Sequence, residues 1–146
     1  MPQINRPIMA DPHFSKVKEF VTDLDYYIHS EDPDEGLLII SDEDNGIQNL
    51  VLDCEDPILI IEQFLFELKE PSVKNLTHLL QKNREIIHGA LVLDDSGRKV
   101  IFRDTLQLEN LDLNEVEGTL NALALLMTEF FDELLAMARG EPSASQ

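Results

Sequence analysis

Apolar residues along this chain change their spacing several times, and each change marks a new element. Phe14, Val17, Val21, Leu24 and Ile28 step by three and four residues, with Phe20 and Tyr27 widening the stripe. This predicts a first amphipathic helix that begins near Asp11 and carries through Ile28. Ser30 to Gly36 then breaks the rhythm with clustered charge, Pro33 and a glycine. Three β-rich runs follow, at 37–41, 47–54 and 58–68. Between the first two, Asn45-Gly46 tolerates the positive φ of a hairpin turn, and the second connection, Glu55-Asp56-Pro57, is as short. An antiparallel meander is the expected result. In the third run, ILIIEQFLFEL, the spacing of Ile61, Leu65 and Leu68 also fits a helix, while the β-branched start and aromatic middle favour a strand.

Pro71 suits the first turn of a second helix, with Val73, Leu76, Leu80 and Ile87 marking one face and an end near Glu85. HGALVLDDSGRKVIFRDTLQL then reads as two strands about the turn Asp94-Asp95-Ser96-Gly97, with Leu91 and Leu93 alternating on one side and Val100 and Phe102 on the other. Asp112 followed by Glu115 is an acidic variant of the capping box. Behind it, Val116, Leu120, Leu123, Met127, Phe130 and Leu134 predict a last helix over 113–138, stopped by Gly140. The fold class is therefore α+β: a two-layer α-β-β-β-α-β-β-α arrangement with an antiparallel sheet packed by helices. A single domain is expected over 11–139, between tails at 1–10 and 140–146 that carry no periodicity.

Charge narrows the partners. The formal net charge is −18, from 29 acids and 11 bases, and binding to phosphate backbones or anionic lipid draws on lysine and arginine. Nucleic acid and membrane surfaces are thereby disfavoured. The charge is uneven: residues 74–103 hold 3 acids and 6 bases, against 17 and 4 before them and 9 and 1 after. This basic segment is placed to pair with the chain's own acidic helices or with another subunit. No window reaches the 18 or so apolar residues of a membrane span, the start MPQINRPIMADPHF lacks a signal peptide's apolar run, and the lone Cys54 forms no internal disulfide. A soluble, cytoplasmic protein is the expectation.

Candidate chemistry fails on spacing. Asp42 to Gly46 has acids in the manner of a calcium loop, but Gly46 comes too early and Val51-Leu52 belongs to a strand. His13, His29, His78 and His88 form no HxxxH or HExxH pair. Cys54 has no basic neighbour to lower its pKa, and none of the six glycines builds a phosphate loop. Carboxylate pairs carry no signal among so many acids. No catalytic, cofactor or metal residue is assigned, and no cofactor is expected.

The remaining candidate is surface. Leu37-Leu38-Ile39-Ile40 and Phe64-Leu65-Phe66 are continuous apolar runs, which read as strands buried on both faces. Helices in a domain this small cover one sheet face well and the other in part. Leu38, Ile40, Val51, Phe64 and Phe66 are the candidates for an apolar interaction surface, closed by a second copy or by a bound polypeptide. A small enzyme or ligand-binding protein, with a pocket between sheet and helices, is the alternative.

Residues 76–134, LTHLLQKNREIIHGALVLDDSGRKVIFRDTLQLENLDLNEVEGTLNALALLMTEFFDEL, carry a resemblance. An apolar helix ending at Asn83, a short glycine-bearing strand, an Asp-Gly-type turn, a second strand and a Leu-Asp-led closing helix resemble the YbjN-like proteins and the type III secretion chaperones that share their Tir-chaperone-like fold. The resemblance implies an acidic, cytoplasmic, dimeric protein that binds a segment of another polypeptide without catalysis. Secretion chaperones of this kind use apolar sheet and helix surfaces to hold an extended effector segment.

Overall fold

The computed structural model describes residues 11–140, so the predicted tail at 1–10, and all of the predicted tail at 140–146 beyond Gly140, lie outside the described residues. The first helix, α1 (Pro12–Asp23), starts where Asp11 accepts a hydrogen bond from the backbone N–H of His13 at 2.9 Å. It ends earlier than the apolar stripe suggests. The Tyr26 N–H donates to the Val21 carbonyl and the Asp25 N–H to that of Thr22, with Asp25 at φ 65°, a Schellman closure. Tyr27 and Ile28, expected on the helix, instead open a strand, β1 (Tyr27–Asp32). Aspartate in the left-handed region stands where glycine or asparagine usually signals a stop, so the spacing of Val21, Leu24 and Ile28 ran on past the true end.

The strands β2 (Leu37–Asp42), β3 (Ile47–Glu55) and β4 (Ile58–Glu67) form the expected meander, and the third run is strand rather than helix, ending one residue before Leu68. A turn of 3₁₀-helix, Glu43–Asn45, makes the first connection, and Gly46 closes it at φ 77°. Glycine is required there twice over, because a Cβ would also lie 2.6 Å from the Cβ of Met127. Next come α2 (Val73–Lys82), β5 (Ala90–Leu93), β6 (Lys99–Gln107) and α3 (Leu113–Ala138). Ser72, not Pro71, caps α2, accepting from the Asn75 N–H at 3.1 Å, so Pro71 stands just before the helix. The last helix matches its predicted limits, with Asp112 accepting from the Glu115 N–H at 2.8 Å.

All six strands join one antiparallel sheet in the order β1-β2-β3-β4-β6-β5. It is an α+β fold with one strand more than the sequence suggests, at an edge that His29, Ser30, Glu31 and Asp32 keep polar. The helix α3 crosses β3, β4 and β6, with α1 beside it and α2 near β5. Leu38, Ile40, Leu50, Leu52, Leu59, Ile61, Val100 and Phe102 meet Phe14, Val17, Val21, Val116, Leu120 and Leu123 in one core. Polar ties also reach into it: fully buried Thr119 on α3 donates to Asp104 on β6 at 2.6 Å. No helix among the described residues is long and apolar enough to cross a membrane.

Candidate functional site: the open face of the sheet

Side chains alternate across a strand, so the register that buries one set of residues turns the next set away from the helices. Leu38 pairs with Leu52 and Ile40 with Leu50 on the helix side, which leaves Leu37 opposite Asp53 and Ile39 opposite Val51 on the other. The second set continues through Ile60 beside Asp53, Glu62 beside Val51, and Ile101 beside Phe64. These residues are half-buried or exposed, and none belongs to the core or packs against it. Among the described residues no helix lies over this face. It is a contiguous apolar surface with a few charges set into it.

The five residues proposed from sequence separate across the two faces. Leu38 and Ile40 are at most 1% exposed, under the helices, and Phe66 is also buried in the core. They are thus not available at the surface as expected. The reason for the first two is parity, since the unbroken run 37–40 gives no alternation from which to read a face. For Phe66 it is a bulge: the register passes from Phe64 opposite Ile101 to Phe66 opposite Val100, leaving Leu65 as the extra residue. Val51 is half-buried and Phe64 is 55% exposed, both on the open side. Sequence reasoning missed Leu37, Ile39, Ile60 and Ile101, which stand in the unbroken apolar runs 37–40, 58–61 and 100–102, where no alternation marks a face.

The charges on this face differ in their state. Glu62 and Arg103, cross-strand neighbours, form an ion pair at 3.0 Å. Among the described residues Asp53 has no such partner, and its Oδ1 is shielded from solvent without a hydrogen bond. Partial burial, then the charge of the neighbouring Glu55 carboxyl and a side-chain hydrogen bond with it, then Glu62 and Glu35, push its pKa up. Next to Phe64 the sheet opens into a notch. Strand β3 parts from β4 after Val51 pairs with Glu62, and the Gln63 amide bridges the gap, accepting from the Gln48 N–H at 3.0 Å and donating to the Gly46 carbonyl at 3.1 Å. The resulting cavity of about 540 Å³ lies between Asn49, Phe64 and Leu65 on the sheet and Met127 and Phe131 on α3. No titratable residue is among its described lining, so it offers shape and amide groups rather than acid–base chemistry.

A second exposed apolar set lies on α2. Val73 and Leu80, one heptad apart, are 82% and 70% exposed, and Ile87 just beyond is 80% exposed, so the predicted face of this helix points outward apart from Leu76. The side that faces inward carries Leu79 and Lys82. Lys82 reaches Glu85 at 2.8 Å and Glu133 of α3 at 3.0 Å, and lies 4.0 Å from the centre of the Phe130 ring. His78 meets the same Glu133 at 2.7 Å. The basic segment thus does pair with an acidic helix of its own chain.

An antiparallel sheet with its helices on one face and an apolar surface on the other is an open-faced α+β fold, and its likeness is to the type III secretion chaperones and YbjN. The chain belongs to the CesT_Tir_1 family, whose model matches residues 10–140. Three solved structures share the fold. YbjN from E. coli has a TM-score of 0.63 and 12% identity, covering 84% of this chain and 94% of its own. A chain of the HopA1–SchA chaperone–effector complex has 0.62 and 16%, covering 86% and 99%. A chain of the Yersinia pestis type III secretion chaperone SycH in complex with a stable fragment of YscM2 has 0.53 and 15%, covering 86% and 98%. No protein of curated function matches the sequence.

Proposed function

We propose that this chain is a non-catalytic, chaperone-like protein that binds a segment of another polypeptide on the open face of its sheet, acting in the cytoplasm as one domain over residues 11–139. The observation that carries this reading is the contiguous apolar surface of Leu37, Ile39, Val51, Ile60, Phe64 and Ile101, with no helix among the described residues over it. A sheet face of this kind favours burial under another chain. Family membership supports the reading, as do two similar structures that are complexes of a chaperone with another polypeptide. Affinity capture from cells, comparing the natural chain with an Ile39→Asp/Ile101→Asp variant of unchanged circular dichroism, tests it. A polypeptide enriched by the first and lost from the second is expected; equal enrichment by both would remove the open face from the function.

Self-association is carried by a different observation, the outward Val73 and Leu80 of α2. Leu80 sits in, and Val73 immediately before, the 74–103 segment where bases outnumber acids and where repulsion between two strongly acidic copies is weakest. A homodimer joined through α2 leaves both open faces free for polypeptide.

A further inference from the structure

The open face carries a charge pattern that bears on the kind of polypeptide it takes. Asp53 stands in one cross-strand row between Leu37 and Ile60, with Glu55 two residues further along β3. In the next row Glu62 is already matched by Arg103. Among the described residues, neither Asp53 nor Glu55 has a cation within ion-pair distance. The shielded Oδ1 of Asp53 has no donor, an arrangement that native proteins seldom leave unanswered. Leu37 and Ile60 flank it across the strands and Oδ1 itself is shut off from solvent, so a cation brought there would meet a partly desolvated carboxylate with that of Glu55 beside it, where pairing is stronger than on an open surface. A second copy of this chain, laid on the same face, would set acidic strands against acidic strands, and nucleic acid would be repelled in the same way.

We propose that the occupant of the open face is an extended polypeptide whose sheet-facing positions carry apolar side chains and one lysine or arginine, the cation meeting Asp53 and Glu55 while its apolar neighbours cover Ile39, Ile60 and Ile101. This rests on the open face being the binding surface, and it adds the chemistry of the partner. Alternate positions of an extended segment point to one side, so cation and apolar anchors stand two residues apart, matching the spacing along β3 and β4.

Three labelled nonapeptides of alternating valine and threonine, with lysine, glutamine or glutamate at the central valine position, serve as probes in fluorescence anisotropy with the full chain. At about 0.15 M salt, where surface charge is screened beyond roughly 8 Å, the lysine peptide is expected to bind about tenfold more tightly than the glutamine peptide. The Asp53→Asn/Glu55→Gln variant is expected to erase that preference without changing the affinity for the glutamine peptide. A Glu129→Gln/Asp132→Asn variant, which removes two acids from the exposed side of α3, keeps it. Equal binding of lysine and glutamine peptides, or a preference that survives the Asp53/Glu55 variant, overturns the proposal and leaves the docking surface standing. If no peptide binds, or if Phe64→Ser dissociates a peptide-free dimer and so shows a second copy on the face, both readings fail.

Discussion

Cys54 lies on the helix side of β3 opposite Leu59, half-buried against the core. Burial and then the carboxylates of Asp11, Asp53 and Glu55 push its thiol up to about 11. A group raised in this way stays protonated throughout the neutral range, and the thiolate is the reacting form. Alkylation by iodoacetamide at neutral pH is expected to run on the order of a hundredfold more slowly in the native chain than in urea. Similar rates, followed by mass spectrometry, would contradict the buried acidic setting. The absence of a basic neighbour was legible in the sequence. The direction and strength of the effect were not, because Asp11 is distant along the chain and meets β3 only after α1 docks.

Among the elements, α2 is held to α3 by charge as much as by apolar contact. Burial alone would raise the Glu133 carboxyl, but hydrogen bonds from Lys82 and His78 outweigh it and leave its pKa lowered. Burial likewise opposes the charge on Lys82, and hydrogen bonds to Glu85 and Glu133 outweigh it, leaving that pKa raised. For Glu133, the stabilisation is present above the ordinary carboxylate value of 4.5 and is lost as pH falls through the lowered one. For Lys82, it is complete below the ordinary 10.5 and is lost as pH climbs through the raised one. The docking of α2 should therefore hold a plateau between these values and weaken on either side. Lys82→Met, which leaves Glu133 with His78 alone, is expected to cost about 1–3 kcal/mol. Hydrogen exchange checks this: amides of 73–85 should speed up while β3 and β4 stay protected, and uniform protection would mean that the lysine is dispensable. The limits of α3 were readable because Asp112, Glu115 and Gly140 are local signals. The limit of α1 was not, because Asp25 ends it through backbone geometry that no glycine announces.

At the scale of the whole molecule, a charge of −18 opposes association everywhere except near α2 and the β5–β6 hairpin. Sedimentation should therefore give a particle of twice 16.6 kDa that Leu80→Glu reduces to the monomer and that added salt strengthens. A natural chain that sediments as a monomer at micromolar concentration would end the α2 interface. The sequence alone determined the succession of helices and strands, the hairpin turns and the lack of a spaced catalytic motif, since each rests on residues close together in the chain. It also showed that the strands hold more apolar surface than one core needs. Only the tertiary structure decided which residues supply that surface. In Leu37-Leu38-Ile39-Ile40 every position is equally apolar, so nothing local distinguishes inside from outside, and the bulge at Leu65 reverses the parity of the residues beyond it on β4. The choice falls to where the helices dock: they take Leu38, Ile40 and Phe66 and leave Leu37, Ile39 and Phe64 facing outward.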